Sequence, residues 1–170
     1  MVMSERFVAV LMGSDSDLPV MRATLEVLDK FGISYEVKIT SVHRTPDATH
    51  AYVKDAESRG CAVFIAAAGL AAHLAGTVAG ITIKPVIGVP MAVKPLNGMD
   101  ALLSTVQMPG GIPVASMAIG KAGAKNAGYL AVQILSQNSA DLEESLRKER
   151  AGNADEISQK DAAIQQKLRK

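Results

Sequence analysis

The chain of 170 residues is long enough for one domain with its own apolar core and short for two. Apolar residues make up 48% of it and aromatics only 4%, so the core is built from Ala, Val, Ile, Leu and Met packed around many glycines. A net charge of +1 with no basic, aromatic-laced stripe excludes the footprint of a nucleic-acid binder, and no apolar run reaches bilayer length.

The N-terminal "MVMSERFVAV" lacks the layout of a secretory leader and runs straight into a strand pattern, which places the expected protein in the cytoplasm, away from membranes. That first strand is "RFVAVLM" (6–12), and the next four are "SYEVKIT" (34–40), "AVFIAAA" (62–68), "PVIGVP" (85–90) and "PVASMAI" (113–119). Helical periods fill the gaps at 16–31, 46–59, 71–80, 98–106 and 122–137. Five strand–helix alternations without hairpin turns predict a parallel sheet covered on both faces, a three-layer α/β sandwich with flavodoxin-like order. Spacing alone leaves the other doubly wound order open. Residues 1–140 are expected as a single α/β domain, followed by a charged helical extension over 141–170 that Gly152 and Asn153 interrupt and whose end frays.

In an open parallel sheet, ligands bind beyond the carboxyl ends of the strands. The polar residues of this chain gather there. After the first strand comes "GSDSD", where Ser14 and Ser16 offer hydroxyls at a helix start and Asp17 a carboxylate that can accept from sugar hydroxyls. Plain N-capping explains the stretch equally well. Neither G-x-G-x-x-G nor G-x-x-x-x-G-K-[ST] occurs, so a phosphate monoester fits better than a dinucleotide or a triphosphate.

After the second strand, "SVHRTP" puts Ser41, His43 and Arg44 just before a helix whose cap is Thr45 and whose first turn holds Pro46. A guanidinium there can take a phosphate in forked geometry, and an imidazole beside it can move a proton near neutral pH. The third loop, "AAAGLAAH", ends at His73, which either lines a dry pocket or satisfies a helix end. His50 reads as a solvated helix residue, and the histidines have no metal-ligand spacing. Cys61, the single cysteine, reads as a small buried thiol.

Taken together, "MGSDSD", "HRTPD", "AAHLAG", "PVIGVP", "QMPGGIPV" and "AIGKAGAKNAGYLA" resemble the class I N5-carboxyaminoimidazole ribonucleotide mutases of de novo purine (IMP) biosynthesis, also known as the phosphoribosylaminoimidazole carboxylase catalytic subunit family. The resemblance implies a flavodoxin-like isomerase assembled as a homo-octamer, with sites where subunits meet. It also implies a phosphoribosyl substrate, with neither metal nor organic cofactor. Carried over, His43 is the catalytic acid/base and Arg44 a phosphate ligand. Ser14 and Asp17 bind substrate, Asp17 near the ribose, and His73 lies near the base. Ser16 and Ser41 complete the candidate substrate-binding residues.

Related enzymes that carboxylate aminoimidazole ribonucleotide directly with CO2 carry lysine after the histidine and "AGRSN" in the third loop; Arg44 and "AGLAAH" favour the mutase. Direct carboxylation, or phosphosugar binding without chemistry, are the alternatives. Ala67, Leu70 and Ala75 stand where the family usually has glycine, glycine and proline, and Val42 where it has alanine. Leu70 matters most, because leucine neither takes a positive φ cheaply nor lets a ligand approach as glycine does. The expectation is a narrower pocket or a shifted loop.

Overall fold

The computed structural model describes residues 6–169; the first five residues of the stretch read above for a leader lie outside them. The chain divides into two compact units that meet between Ile134 and Leu135.

The first unit holds five parallel strands: β1 (Phe7–Met12), β2 (Tyr35–Ile39), β3 (Cys61–Ala68), β4 (Val86–Pro90) and β5 (Ala115–Ser116). Their order is β2-β1-β3-β4-β5, the flavodoxin-like arrangement. The chain leaves β1 towards one side, for β2, and then crosses to the other, for β3. The carboxyl ends of β1 and β3 therefore flank the switch point where doubly wound sheets bind ligands. All six residues of β1 are buried, as a central strand covered on both faces requires.

Five helices cover the sheet: α1 (Leu18–Lys30), α2 (Pro46–Ser58), α3 (Leu74–Ile81), α4 (Met99–Val106) and α5 (Lys121–Ser136). Phe7, Ala9, Leu11, Phe64, Ala66 and Val86 turn one way and pack with Val53 and Ala56 of α2 and with Leu74, Ala75 and Val78 of α3. On the opposite face α1 and α5 lie close together. A Cβ on Gly128 would sit 2.9 Å from the Val27 Cβ, and Thr24 Oγ1 donates to the Ala124 carbonyl at 2.7 Å.

The edges of the sheet depart from expectation. β2 is an edge strand that leaves Val37 and Ile39 exposed. The fifth strand shrinks from seven predicted residues (113–119) to the pair Ala115–Ser116, because it too has one neighbour and follows Pro113, which has no N–H to donate.

In the second unit, α6 (Ala140–Leu168) runs unbroken through Gly152 and Asn153, where the sequence suggested an interruption. A glycine inside a helix costs about 1 kcal/mol relative to alanine. Here Ser139 caps the start by accepting from the Leu142 N–H, Asp141 and Glu143 sit in the first turn, and Glu143–Arg147 and Glu156–Lys160 pair one turn apart. Among the described residues, no helix is long and apolar enough to cross a membrane.

Candidate active site

Loops after β1, β2, β3 and β4 border a cleft of about 610 Å³ at the switch point. Ser14, Ser16, Asp17, Ser41, His43, Arg44 and His73 all line it, so the structure brings every predicted site residue to one place.

In the first loop, the Ser14 hydroxyl accepts from the Ser16 N–H at 3.2 Å, and Asp17 Oδ2 accepts from the Ser14 N–H at 3.2 Å. This reciprocal capping box closes a single 3₁₀ turn, Asp15–Asp17, ahead of α1. It also carries Asp17 inward to 7% exposure. Burial pushes the Asp17 carboxyl above its ordinary range, the Ser14 N–H bond opposes that, and the charge of Asp15 adds to it. The atoms that form this cap belong to residues that also line the cleft.

The second loop is tied to itself. Thr45 Oγ1 donates to the Ser41 carbonyl at 3.0 Å and accepts from the Ser41 N–H at 3.1 Å, while the Arg44 N–H donates to Ser41 Oγ at 3.3 Å. Thr45 occupies the N-cap of α2, as the sequence suggests, but makes no side-chain cap, because its hydroxyl is spent on this loop. With both ends of the loop held, His43 and Arg44 project outward, and Arg44 Nη2 reaches the Gly13 carbonyl across the cleft at 3.5 Å.

The third loop supplies His73. It stands at the N-cap of α3 without a side-chain cap, so its ring is not serving the helix end. Instead, His73 Nδ1 lies 2.8 Å from His43 Nε2, with the rings edge to face, centroids 4.9 Å apart and planes at 80°. One ring donates and the other accepts, so the contact couples the tautomers of the two imidazoles. Two histidines 30 residues apart thus form a single unit.

Sequence reasoning missed Val93, which follows β4 and lines the same cleft. A valine carries no chemical signal, but Gly69 points to it in retrospect: a Cβ there would lie 2.6 Å from Val93 Cγ2. The fifth loop, "GKAGAKN", reaches the same rim without lining the cleft. Its Gly123 answers to packing, since a Cβ would fall 1.6 Å from the Ala118 carbonyl oxygen. Among the described residues no cluster of metal-ligating side chains occurs. Cys61 is buried, donates to the Val63 carbonyl, and has its thiol pushed up to about 11 by burial, which makes it a poor nucleophile. His50 is exposed on α2.

A model of a family described as AIR carboxylase matches residues 7–156. The chain belongs to the AIR carboxylase family. Among its relatives in that family, a protein of Thermotoga maritima is 60% identical over 128 residues, covering 75% of this chain and 74% of its own. One of Bacillus subtilis is 54% identical over 143 residues, covering 84% and 88%. Both are named N5-carboxyaminoimidazole ribonucleotide mutase. The crystal structure of Treponema denticola PurE superposes with a TM-score of 0.84 at 30% identity, over 92% of this chain and 97% of that one. The AIR carboxylase match runs through β1 to β5 and so includes every residue of the cleft.

Proposed function

We propose that this AIR carboxylase family member is a cytoplasmic isomerase that converts N5-carboxyaminoimidazole ribonucleotide to 4-carboxyaminoimidazole ribonucleotide. The observation that carries this reading is the hydrogen-bonded His43–His73 pair, set at the switch point beside a guanidinium and a ring of hydroxyls. The names of the relatives agree with it.

In the proposed reaction, the bond between the exocyclic nitrogen and the carboxylate carbon breaks, CO2 departs, and the nitrogen takes a proton from His43. The ring carbon then attacks CO2 to form the new C–C bond, and the hydrogen on that carbon returns to His43 as a proton. Protons balance over the cycle. The carbamate already carries the CO2, so the step calls for no ATP. One imidazole serves both halves, and His73 holds its orientation.

Arg44 takes the phosphate, with Ser14, Ser16 and Ser41 as hydroxyl partners, and Asp17 accepts from the ribose. Self-association as a homo-octamer belongs to the same proposal. Leu96, Met99, Leu103 and Val106 are all exposed, and the last three form an apolar stripe along α4 beside the loop that contributes Val93 to the cleft. Light scattering that returned the mass of a single chain would remove this part.

Incubation with N5-carboxyaminoimidazole ribonucleotide, without ATP or added metal, tests the chemistry. The ring-carboxylated isomer is expected. Turnover of aminoimidazole ribonucleotide with CO2 alone would instead favour direct carboxylation, and binding of either ribonucleotide without turnover would leave a phosphosugar-binding protein.

A further inference from the structure

Leu70 is a residue of the cleft whose backbone conformation its own burial does not repay. It has φ 57, in the left-handed region, where among the described residues the only other non-glycine is Asn97 at φ 50. Asparagine is suited to that region and leucine is strained there. The strain is not offset by core packing, because Leu70 remains 50% exposed.

The neighbouring position sharpens the point. Gly69 is a glycine because Val93 crowds it, yet the next residue, where the backbone would welcome a glycine, carries an isobutyl group. The backbone at Leu70 takes the left-handed turn, and the residue lines the cleft. Val42, Leu70, Leu74 and Val93 line the cavity that holds both imidazoles.

We propose that Leu70 is a positioning residue for the isomerisation: its side chain covers the reacting end of the substrate beside the His43–His73 pair and keeps freed CO2 from exchanging with solvent before recarboxylation. This rests on the mutase reading above. Strained residues persist where the strained arrangement does something, and an apolar cover over a reactive intermediate excludes water and side reactions.

The test is a partition measurement on the full-length protein. N5-carboxyaminoimidazole ribonucleotide is supplied in buffer containing labelled bicarbonate, an enzyme-free control is subtracted, and both the ring-carboxylated product and the decarboxylated amine are counted. The wild type is expected to retain most of its own CO2. In Leu70→Gly and Leu70→Asn, which accept the backbone conformation, the escaped fraction and label incorporation are expected to rise several-fold while Tm stays level or rises. Leu70→Met, which restores apolar volume, is expected to restore retention.

Wild-type retention in the glycine and asparagine variants would overturn the inference. So would free label entry in the wild type, or a fall in Tm in both variants, which would make Leu70 a packing residue. A wild type that forms no ring-carboxylated product at all would instead overturn the mutase reading itself.

Discussion

Two cavities of nearly equal volume, about 600 and 610 Å³, lie at opposite ends of the strands. One opens where β1 and β3 finish and is lined by two imidazoles, a guanidinium, three serines and a buried carboxylate. The other opens where β4 and β5 begin, and Ile81, Ile83, Pro85, Ile112 and Pro113 are among the residues that line it, with Lys84 as its cation. Volume does not separate them; chemistry and position do. Crossover helices start at the carboxyl ends of parallel strands, so loops from distant parts of the chain converge there and can each deliver a polar residue. At the other end the chain is returning to the sheet, and its connections are shaped by entry into strands.

The largest effect that would break this contrast concerns the imidazole pair. His43→Asn retains a hydrogen-bonding side chain that cannot shuttle a proton, and turnover is expected to fall by about a hundredfold to ten-thousandfold, the usual worth of positioned acid/base catalysis. Calorimetry with aminoimidazole ribonucleotide should show binding largely intact. Near-normal turnover would remove the acid/base assignment and, with it, the main reason to prefer this cleft.

The next comparison sets the two cations against each other. Arg44→Ala is expected to weaken binding of ribose 5-phosphate by about tenfold to a hundredfold, the scale of a charge-assisted hydrogen bond. Lys84→Ala should change it less than about twofold, because this half-buried lysine stands in a mostly apolar cavity with Thr82 as its hydroxyl neighbour, and a single point charge of that kind makes a weak anion site. The reverse pattern, read by calorimetry, would move the phosphate to the other end of the sheet.

How much of this was legible in the sequence depends on what kind of information each feature needs. The alternation of apolar strands with helical periods carried the fold, since it is written in local spacing. Strand order was not, because β1 and β3 become neighbours only through crossovers whose direction no local pattern encodes. All seven candidate residues meet in the cleft because each lies just beyond a strand end.

The His43–His73 contact was invisible, as it depends on how two loops face one another. Thr45 stands at the N-cap as its local propensity suggests, but the capping bond is absent because its hydroxyl is claimed by a loop closing on Ser41. A glycine-rich stretch such as "GKAGAKN" has no single reading: close approach explains both its Gly123 and, just beyond it, Gly128, where α5 meets α1, and packing and ligand contact draw on the same residue type.

The smallest expected effect bears on what a site costs the fold. Asp17 is buried, and its folded-state carboxyl sits above its unfolded value, so the native state holds that proton more tightly than the unfolded chain does. The resulting stabilisation is complete below the unfolded value of about 3.8 and is lost as pH rises through the raised native value. At neutral pH the charge is therefore a burden that the capping bond from the Ser14 N–H only partly offsets. Asp17→Asn keeps an acceptor for that N–H and removes the charge. Its Tm should match the wild type below about pH 3.5, where the native carboxyl is neutral, and exceed it slightly at pH 7, by the equivalent of about 1 kcal/mol or less. Ribonucleotide binding should weaken at the same time, since a neutral amide is a poorer acceptor for ribose hydroxyls than a carboxylate. A Tm lowered equally at both pH values would show that Asp17 serves the capping box alone, and the first cleft would then lose one of the features that set it apart from the second.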